Sequence, residues 1–400
     1  MSQLAYEQTE PDDQASGEQK LPLLALIALA LSGFIIILTE ALPAGLLPQI
    51  SADLAVSQSA TGQTVTIYAL GSLLAAIPLT RATQGLRRRP LLTLTIIGFA
   101  IANLVTALSS SYVLTMVARG LAGISAGLLW ALLAGYAARL VPDHQKGRAI
   151  TIAMAGTPIA LSIGVPAATF IGQLAGWRLC FGLMSAAAII LALWINWRLP
   201  DFAGTKQAEK LSLAGVIKLP GILPILFVTL SFVLAHNILY TYIAPFLTPF
   251  GLSGQVDAIL LAFGCSSLVG IWFVGVWIDR RLRDLAIFSC LLFCLAAVIF
   301  GLWPEAEIAV YFAVILWGVG FGGAATIFQT AMARTAGEHT DMAQSMLVTA
   351  WNLAIAGGGI FGGLMLNHIG VSAFVPSVLV LLAACLAAVV LGKRSFINAG

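Results

Sequence analysis

Apolar runs long enough to cross a bilayer recur twelve times along the 400-residue chain. They lie near residues 22–44, 60–80, 90–108, 112–136, 149–173, 178–198, 219–245, 255–277, 284–303, 307–332, 341–366 and 371–392. About 20 apolar residues in helical form span the hydrocarbon core. Lipid offers no partner to backbone N–H and C=O groups, so each run must satisfy its own and is predicted to be a helix. Only 9% of the residues are charged and 60% are hydrophobic, whereas a soluble domain carries about 25% charged residues. The fold class that follows is an all-α polytopic membrane protein with twelve transmembrane helices and the lipid bilayer as its surroundings. A net charge of +3 points to no nucleic-acid partner.

The charges that remain alternate from loop to loop. Arg81, Arg87, Arg88 and Arg89 lie between runs 2 and 3; Arg139, Lys146 and Arg148 between 4 and 5; Arg198, Lys206, Lys210 and Lys218 between 6 and 7. Arg280, Arg281 and Arg283 lie between 8 and 9, and Lys393 and Arg394 follow run 12. The other loops hold Asp53, Asp257, Glu305 and Glu307, with Arg178 the one basic exception. Basic loops favour the cytoplasmic side, so both termini are expected there. Residues 1–20 are polar and acidic (Glu7, Glu10, Asp12, Asp13, Glu18). They lack the basic start of a signal peptide and read as a disordered cytoplasmic tail before a retained first helix. The five cysteines sit in apolar runs and read as small packing residues.

The longest internal polar stretch, 200–218, divides six runs (21–199) from six (219–400). The halves echo each other. Run 1 ends Glu40-Ala-Leu-Pro43 with Pro48 beyond, and run 7 ends Tyr242-Ile-Ala-Pro245 with Pro249 beyond. Gly164 and Gly176 match Gly358 and Gly370. Two such halves with their ends on one side of the membrane describe a transporter that rocks about a central site.

Glu40 is the only ionisable side chain between Leu21 and Leu47. A charged side chain at mid-bilayer costs roughly 2.5–3.5 kcal/mol on insertion scales, so such residues are functional by default. Burial favours its neutral form and a neighbouring cation its charged form, so packing decides whether it holds a proton. If the first helix ended early, the acid would stand in water instead. Arg119 in run 4 is always charged, and the small residues Gly120, Gly123 and Gly127 after it allow close helix packing. A structural tie to backbone carbonyls is the other reading of this arginine. His236 in run 7 suits proton exchange or packing. Asn237, Tyr240 and Tyr242 beside it, with Gln329 and Asn352, can offer amides and hydroxyls to a ligand, and Trp130, Trp317 and Trp351 stacking surfaces. Each ring also reads as packing or an interfacial anchor. No phosphate loop, dinucleotide fingerprint or metal-ligand cluster is present, so neither an enzyme nor a cofactor is expected.

These residues resemble the major facilitator superfamily from about Leu21 to Arg394, and most of all its twelve-helix drug:proton antiporters. Thr39-Glu40-Ala-Leu-Pro43-Ala-Gly45-Leu-Leu-Pro48, the stretch from His236 to Phe246, and Gly176-Trp177-Arg178 look like the branch holding bacterial sugar, arabinose and purine-ribonucleoside exporters. The resemblance ties Arg119 to proton coupling. It implies a gating loop, Gly-x-x-x-Asp-Arg-x-Gly-Arg-Arg, kept in part as Gly275-Val-Trp-Ile-Asp279-Arg280. The first half departs from it: aligned on Arg88, the family aspartate is Gln84 and its glycine Thr80. The exporters' glycine-rich helix 5 motif is altered to Gly156-Thr-Pro158 and Gly164-Val-Pro166.

The expected function is proton-coupled efflux of a small molecule, such as a drug, sugar or nucleoside, across the bacterial inner membrane by a monomer. Glu40, Arg119 and His236 would carry protons; Glu40, Trp130, His236, Asn237, Tyr240, Tyr242, Gln329, Trp351 and Asn352 would bind substrate; Gln84, Arg88, Asp279, Arg280, Gly164 and Pro166 would gate. An uncoupled facilitator or an importer on the same fold is the alternative.

Overall fold

The computed structural model describes residues 21–142, 145–204, 213–278, 280–302, 306–392 and 395–396. The expected disordered tail, the middle of the linker and Asp279 lie outside the described residues. Within them are twelve helices long and apolar enough to cross a membrane. They are α1 (Leu23–Gly45), α2 (Gln58–Ala82), α3 (Arg88–Leu108), α4 (Tyr112–Arg139), α5 (Arg148–Ala175), α6 (Trp177–Arg198), α7 (Ile222–Thr241), α8 (Val256–Trp277), α9 (Leu282–Leu302), α10 (Glu307–Ala336), α11 (Met342–His368) and α12 (Val371–Leu391). Large apolar side chains such as Leu74, Ile190, Trp272 and Val380 remain exposed on the flanks of the bundle, as a lipid-facing surface requires.

The two halves pack alike. In the first, α4 lies against α2 and α3, α3 against α6, and α1 against α5; in the second, α10 lies against α8 and α9, α9 against α12, and α7 against α11. Glycines make the tightest of these contacts. A Cβ on Gly123 would stand 2.0 Å from the Tyr68 carbonyl oxygen, and one on Gly322 2.1 Å from that of Ser267. Hydrophobic driving force is weak between helices in lipid, so such backbone approach supplies much of the contact energy.

Three helices depart from straight runs. Within α5, α-helix gives way to a π-helical turn over Ala160–Gly164, next to the proline sites Pro158 and Pro166, each without an N–H to give. Helix α10 is interrupted between Gly322 and Ala324. The run expected to continue to 245 ends instead at Thr241, and a short helix, Ile243–Leu247, follows. Pro245 removes the bond to the carbonyl of Thr241 and its ring crowds that group, which accounts for the break.

The bundle has a basic end, carrying the arginine loops, and an acid end. At the acid end the lone basic residue, Arg178, pairs with the carboxylate of Asp53. Trp177 Nε1 donates to the same carboxylate at 2.8 Å. Toward the acid end one apolar core runs through both halves, joining Leu42, Leu47 and Phe181 to Tyr240, Phe246 and Phe263. Toward the basic end the first half keeps a separate core around Leu92, Leu129, Leu133 and Ile195. The halves are therefore joined through this shared core and through a smaller cluster of Val65 and Ala69 with Val233, Ala354 and Ile355.

Candidate functional site

Arg119 on α4 is 1% exposed. Its Nη1 donates to the Thr39 carbonyl at 2.8 Å and its Nε to the Thr64 carbonyl at 3.3 Å. The rings of Tyr68 and Phe181 lie 4.7 and 5.7 Å from the guanidinium carbon. The Thr39 carbonyl is free because Pro43, four residues on within α1, has no N–H to offer it. One proline therefore both loosens α1 and opens the acceptor that seats the arginine. Among the described residues Arg119 Nη2 has no partner. Asn103 Nδ2 donates to Thr39 Oγ1 at 3.3 Å, while its own Oδ1, fully buried, also lacks a partner. Buried polar atoms left unmatched cost about 1–3 kcal/mol each, so two in one place call for an explanation.

Glu40 follows Thr39 and lies inside α1, which continues to Gly45. The early end that would place it in water does not occur. Its side chain is partly open, within electrostatic reach of Arg119, Tyr68 and, across the seam between halves, Tyr240. Among the described residues no hydrogen bond or ion pair holds its carboxylate.

Opposite this polar centre the second half presents rings. His236 lies 3.6 Å from Phe321, nearly parallel to it, and 5.0, 5.3 and 5.6 Å from Tyr240, Trp317 and Phe263. Phe232 and Phe293 extend the cluster, and Trp351 joins at 6.1 Å from Phe321. His236 Nδ1 and Trp317 Nε1 are buried without partners among the described residues. Phe263 and Phe321 were invisible as site residues in the sequence, because an aromatic in an apolar run looks like any other.

The remaining expected residues scatter. Trp130 lies on α4 against Gly33 of α1. Asn237 and Asn352 are buried, and each amide donates to a carbonyl of its own helix, Val233 at 2.9 Å and Val348 at 3.0 Å. Gln329 is exposed toward the basic end. Tyr242 is not with the substrate candidates: it is fully buried in the seam at the acid end. Its hydroxyl donates to the Gly359 carbonyl at 2.7 Å and accepts from Gln63 Nε2 at 3.2 Å. Gln63 also donates to Gly359 at 2.9 Å, and the Ser59 hydroxyl to Gly363 at 2.9 Å. The ring fits because its neighbours are glycines; a Cβ on Gly62 would lie 2.3 Å from its oxygen. Gln63 and Ser59 went unnoticed in the sequence, since polar residues near a helix start usually face water.

Among the gating residues, Gly164 has the Phe34 ring where a Cβ would go, 2.8 Å away, and Pro166 is buried in α5. Arg280 is exposed. Arg88 Nη2 donates to the Gln84 carbonyl at 3.0 Å. Beside it stands a carboxylate that the motif comparison did not foresee. Asp201 pairs with Arg87 Nε at 2.6 Å and accepts from the Arg89 N–H at 3.0 Å. Partial burial acts to raise the Asp201 pKa, but the Arg89 N–H and the guanidinium groups of Arg87 and Arg89 outweigh it and hold the carboxyl below the usual range. The Arg88 N–H donates to the Phe202 carbonyl at 2.9 Å, and Arg139 Nη1 to that of Ala203 at 2.9 Å.

The fold is that of a multi-pass membrane transporter with twelve membrane-spanning helices among the described residues. A family model described as the Major Facilitator Superfamily matches residues 29–356, and the chain belongs to that superfamily. It is a multi-pass membrane transporter and not an enzyme. The chain is similar to the purine ribonucleoside efflux pump NepI of Escherichia coli strain K12, with 27% identity over 351 residues, 87% of this chain and 88% of that one. The NepI of Shigella flexneri matches to the same extent, at 27%. Among solved structures it is similar to a bacterial homolog of the human lysosomal transporter Spinster, inward-facing and occupied, with TM-score 0.74, 14% identity and coverage of 95% of this chain and 98% of that one. The human organic anion transporter MFSD10 (TETRAN) gives TM-score 0.71, 15% identity and coverage of 93% and 100%. At these identities the two structures bear on the fold alone.

Proposed function

We propose that the protein exports a small molecule across the bacterial inner membrane in exchange for protons, by alternating access between the bundles 21–199 and 219–400. One observation carries this reading. Glu40 lies inside α1 with, among the described residues, no hydrogen-bond or ion-pair partner for its carboxylate, near a buried guanidinium whose Nη2 is also unmatched. When Glu40 is charged, Arg119 Nη2 and the carboxylate draw together; when it is protonated, Arg119 rests on Thr39 and Thr64 alone. Each protonation state thus favours a different packing of α1 against α4. The driving force suffices, at roughly 2.3 kcal/mol per charge per 100 mV plus about 1.4 kcal/mol per pH unit.

The ring cluster around His236 is the substrate surface in this reading, with Tyr240 facing Glu40. Purine ribonucleosides, the cargo named for the NepI relatives, are the first compounds to test, followed by sugars and drugs. In this reading the end that carries the basic loops, and both termini, face the cytoplasm. In this reading the joined acid end is the closed, outward side. The protein acts as a monomer, since each chain contains a complete pair of bundles.

Everted membrane vesicles test the reading. Substrate uptake is expected to require a proton gradient and to collapse with an uncoupler. Glu40→Gln and Arg119→Ala are expected to lose uphill uptake. Unchanged uphill uptake and uncoupler sensitivity in both variants overturns the coupling roles, and counterflow indifferent to pH favours a facilitator.

A further inference from the structure

The seam at the acid end carries a second feature. Just outside the Tyr242 contact a crevice of about 330 Å³ opens between the halves. One wall comes from the first half, with Ser57 and Gln63 of the α2 start and Tyr112 of α4; the other comes from α11, with Ile360, Leu364 and Asn367. Its floor is the hydrogen-bonded seam, because Gln63 and Ser59 belong to both. Hydroxyls and amides line it beside three apolar side chains, Ala60, Ile360 and Leu364, and among the described residues no charged one does. Ile360, Leu364, Asn367 and Ser57 are exposed, so the crevice is entered from the membrane flank or the adjoining water without any opening of the bundle.

We propose that this crevice is a regulatory site for an uncharged, hydroxyl-bearing amphiphile, whose tail follows Ile360 and Leu364 and whose head meets Ser57, Gln63 and Asn367. Its two walls belong to different halves, so the site is whole only while the acid end is closed. A ligand that binds one state of an equilibrium shifts the population toward it, and closing and binding strengthen each other by the same factor. The occupant therefore braces the seam and slows the step in which the acid end parts. The cost of bringing a charge to a site without a counter-charge excludes ionic amphiphiles of the same tail length. This site is separate from the Glu40 centre and does not depend on the identity of the cargo or on proton coupling.

Amide hydrogen exchange on the full-length protein in lipid nanodiscs, with hexyl glucoside as probe and no transported substrate, tests it. Segments 58–66 and 357–368 are expected to exchange at least about fivefold more slowly with the glucoside, equivalent to roughly 1 kcal/mol of added closure. Hexyl sulfate and hexyltrimethylammonium are expected to leave them unchanged. Asn367→Leu, and separately Leu364→Trp, which fills the crevice, are expected to abolish the response. Equal slowing by the charged probes, slowing that persists in both variants, or no slowing at all overturns the proposal.

Discussion

The two halves share one helix scaffold but differ at its centre. In the first, Pro43 frees a carbonyl, Arg119 occupies it, and Glu40 waits beside both. In the second, the equivalent turn before Pro245 carries Tyr242, which joins the halves, and the centre more than a turn deeper is filled by His236, Phe263, Trp317 and Phe321. A repeat supplies the same loosened helix twice; what stands beside the loosened turn decides what it does. The buried ionisable pair stands in one copy, and the ring cluster and the Tyr242 contact in the other.

That division can be broken. The largest expected effect is from Glu40→Gln, which removes the proton without changing shape. Uphill accumulation should fall by about 50-fold for each 100 mV of membrane potential, while substrate counterflow persists in proteoliposomes. Loss of both would mean that Glu40 holds substrate as well. Pro43→Ala gives Thr39 back its helical bond, so Arg119 loses an acceptor. A hydrogen bond to a charged group contributes about 1.5–3 kcal/mol, so proton-driven uptake should drop tenfold or more while thermal stability does not fall. A change of the same size in passive counterflow would show that the proline serves motion rather than charge.

On the second half, His236→Leu is expected to raise the half-saturating substrate concentration about fivefold, the worth of one net hydrogen bond, and to leave the dependence on the proton gradient intact. If the pH profile moves instead, histidine belongs with Glu40. The smallest effect is expected from Asp201→Asn. Because the folded carboxyl titrates below the free one, its pair stabilises the fold above about pH 4, and the gain is lost as pH falls through the lower folded value. Melting temperatures of the variant and the parent protein should therefore differ at neutral pH and converge in acid, with transport unaffected.

Much of the fold is legible in the sequence, because apolar length and alternating loop charge are properties of contiguous segments. Glu40 and Arg119 are legible for the same reason: an ionisable group inside an apolar run is conspicuous wherever it ends up. Residues whose role depends on a distant neighbour are not. Asp201 looks like the start of a polar linker until Arg87 and Arg89 are found beside it. Gln84 stands where the motif has its aspartate, and no pattern along the chain says that a carboxylate from beyond α6 meets the same arginines. Tyr242 looked like a ligand group because it adjoins His236, yet the break at Thr241 turns it toward Gly62 and Gly359. A straight helix assumed through that proline sends the side chain the wrong way.

The pairing of Asp53 with Arg178 has a consequence for how the molecule is made. A lone arginine at the acid end works against the charge asymmetry that orients the α5–α6 hairpin. Its counter-charge lies after α1, far earlier in the chain, and is therefore already in place when that hairpin arrives. Correct insertion of the third helical pair thus leans on the first, and Asp53→Asn should surface as poor yield or mixed orientation during synthesis rather than as slow transport by the finished protein.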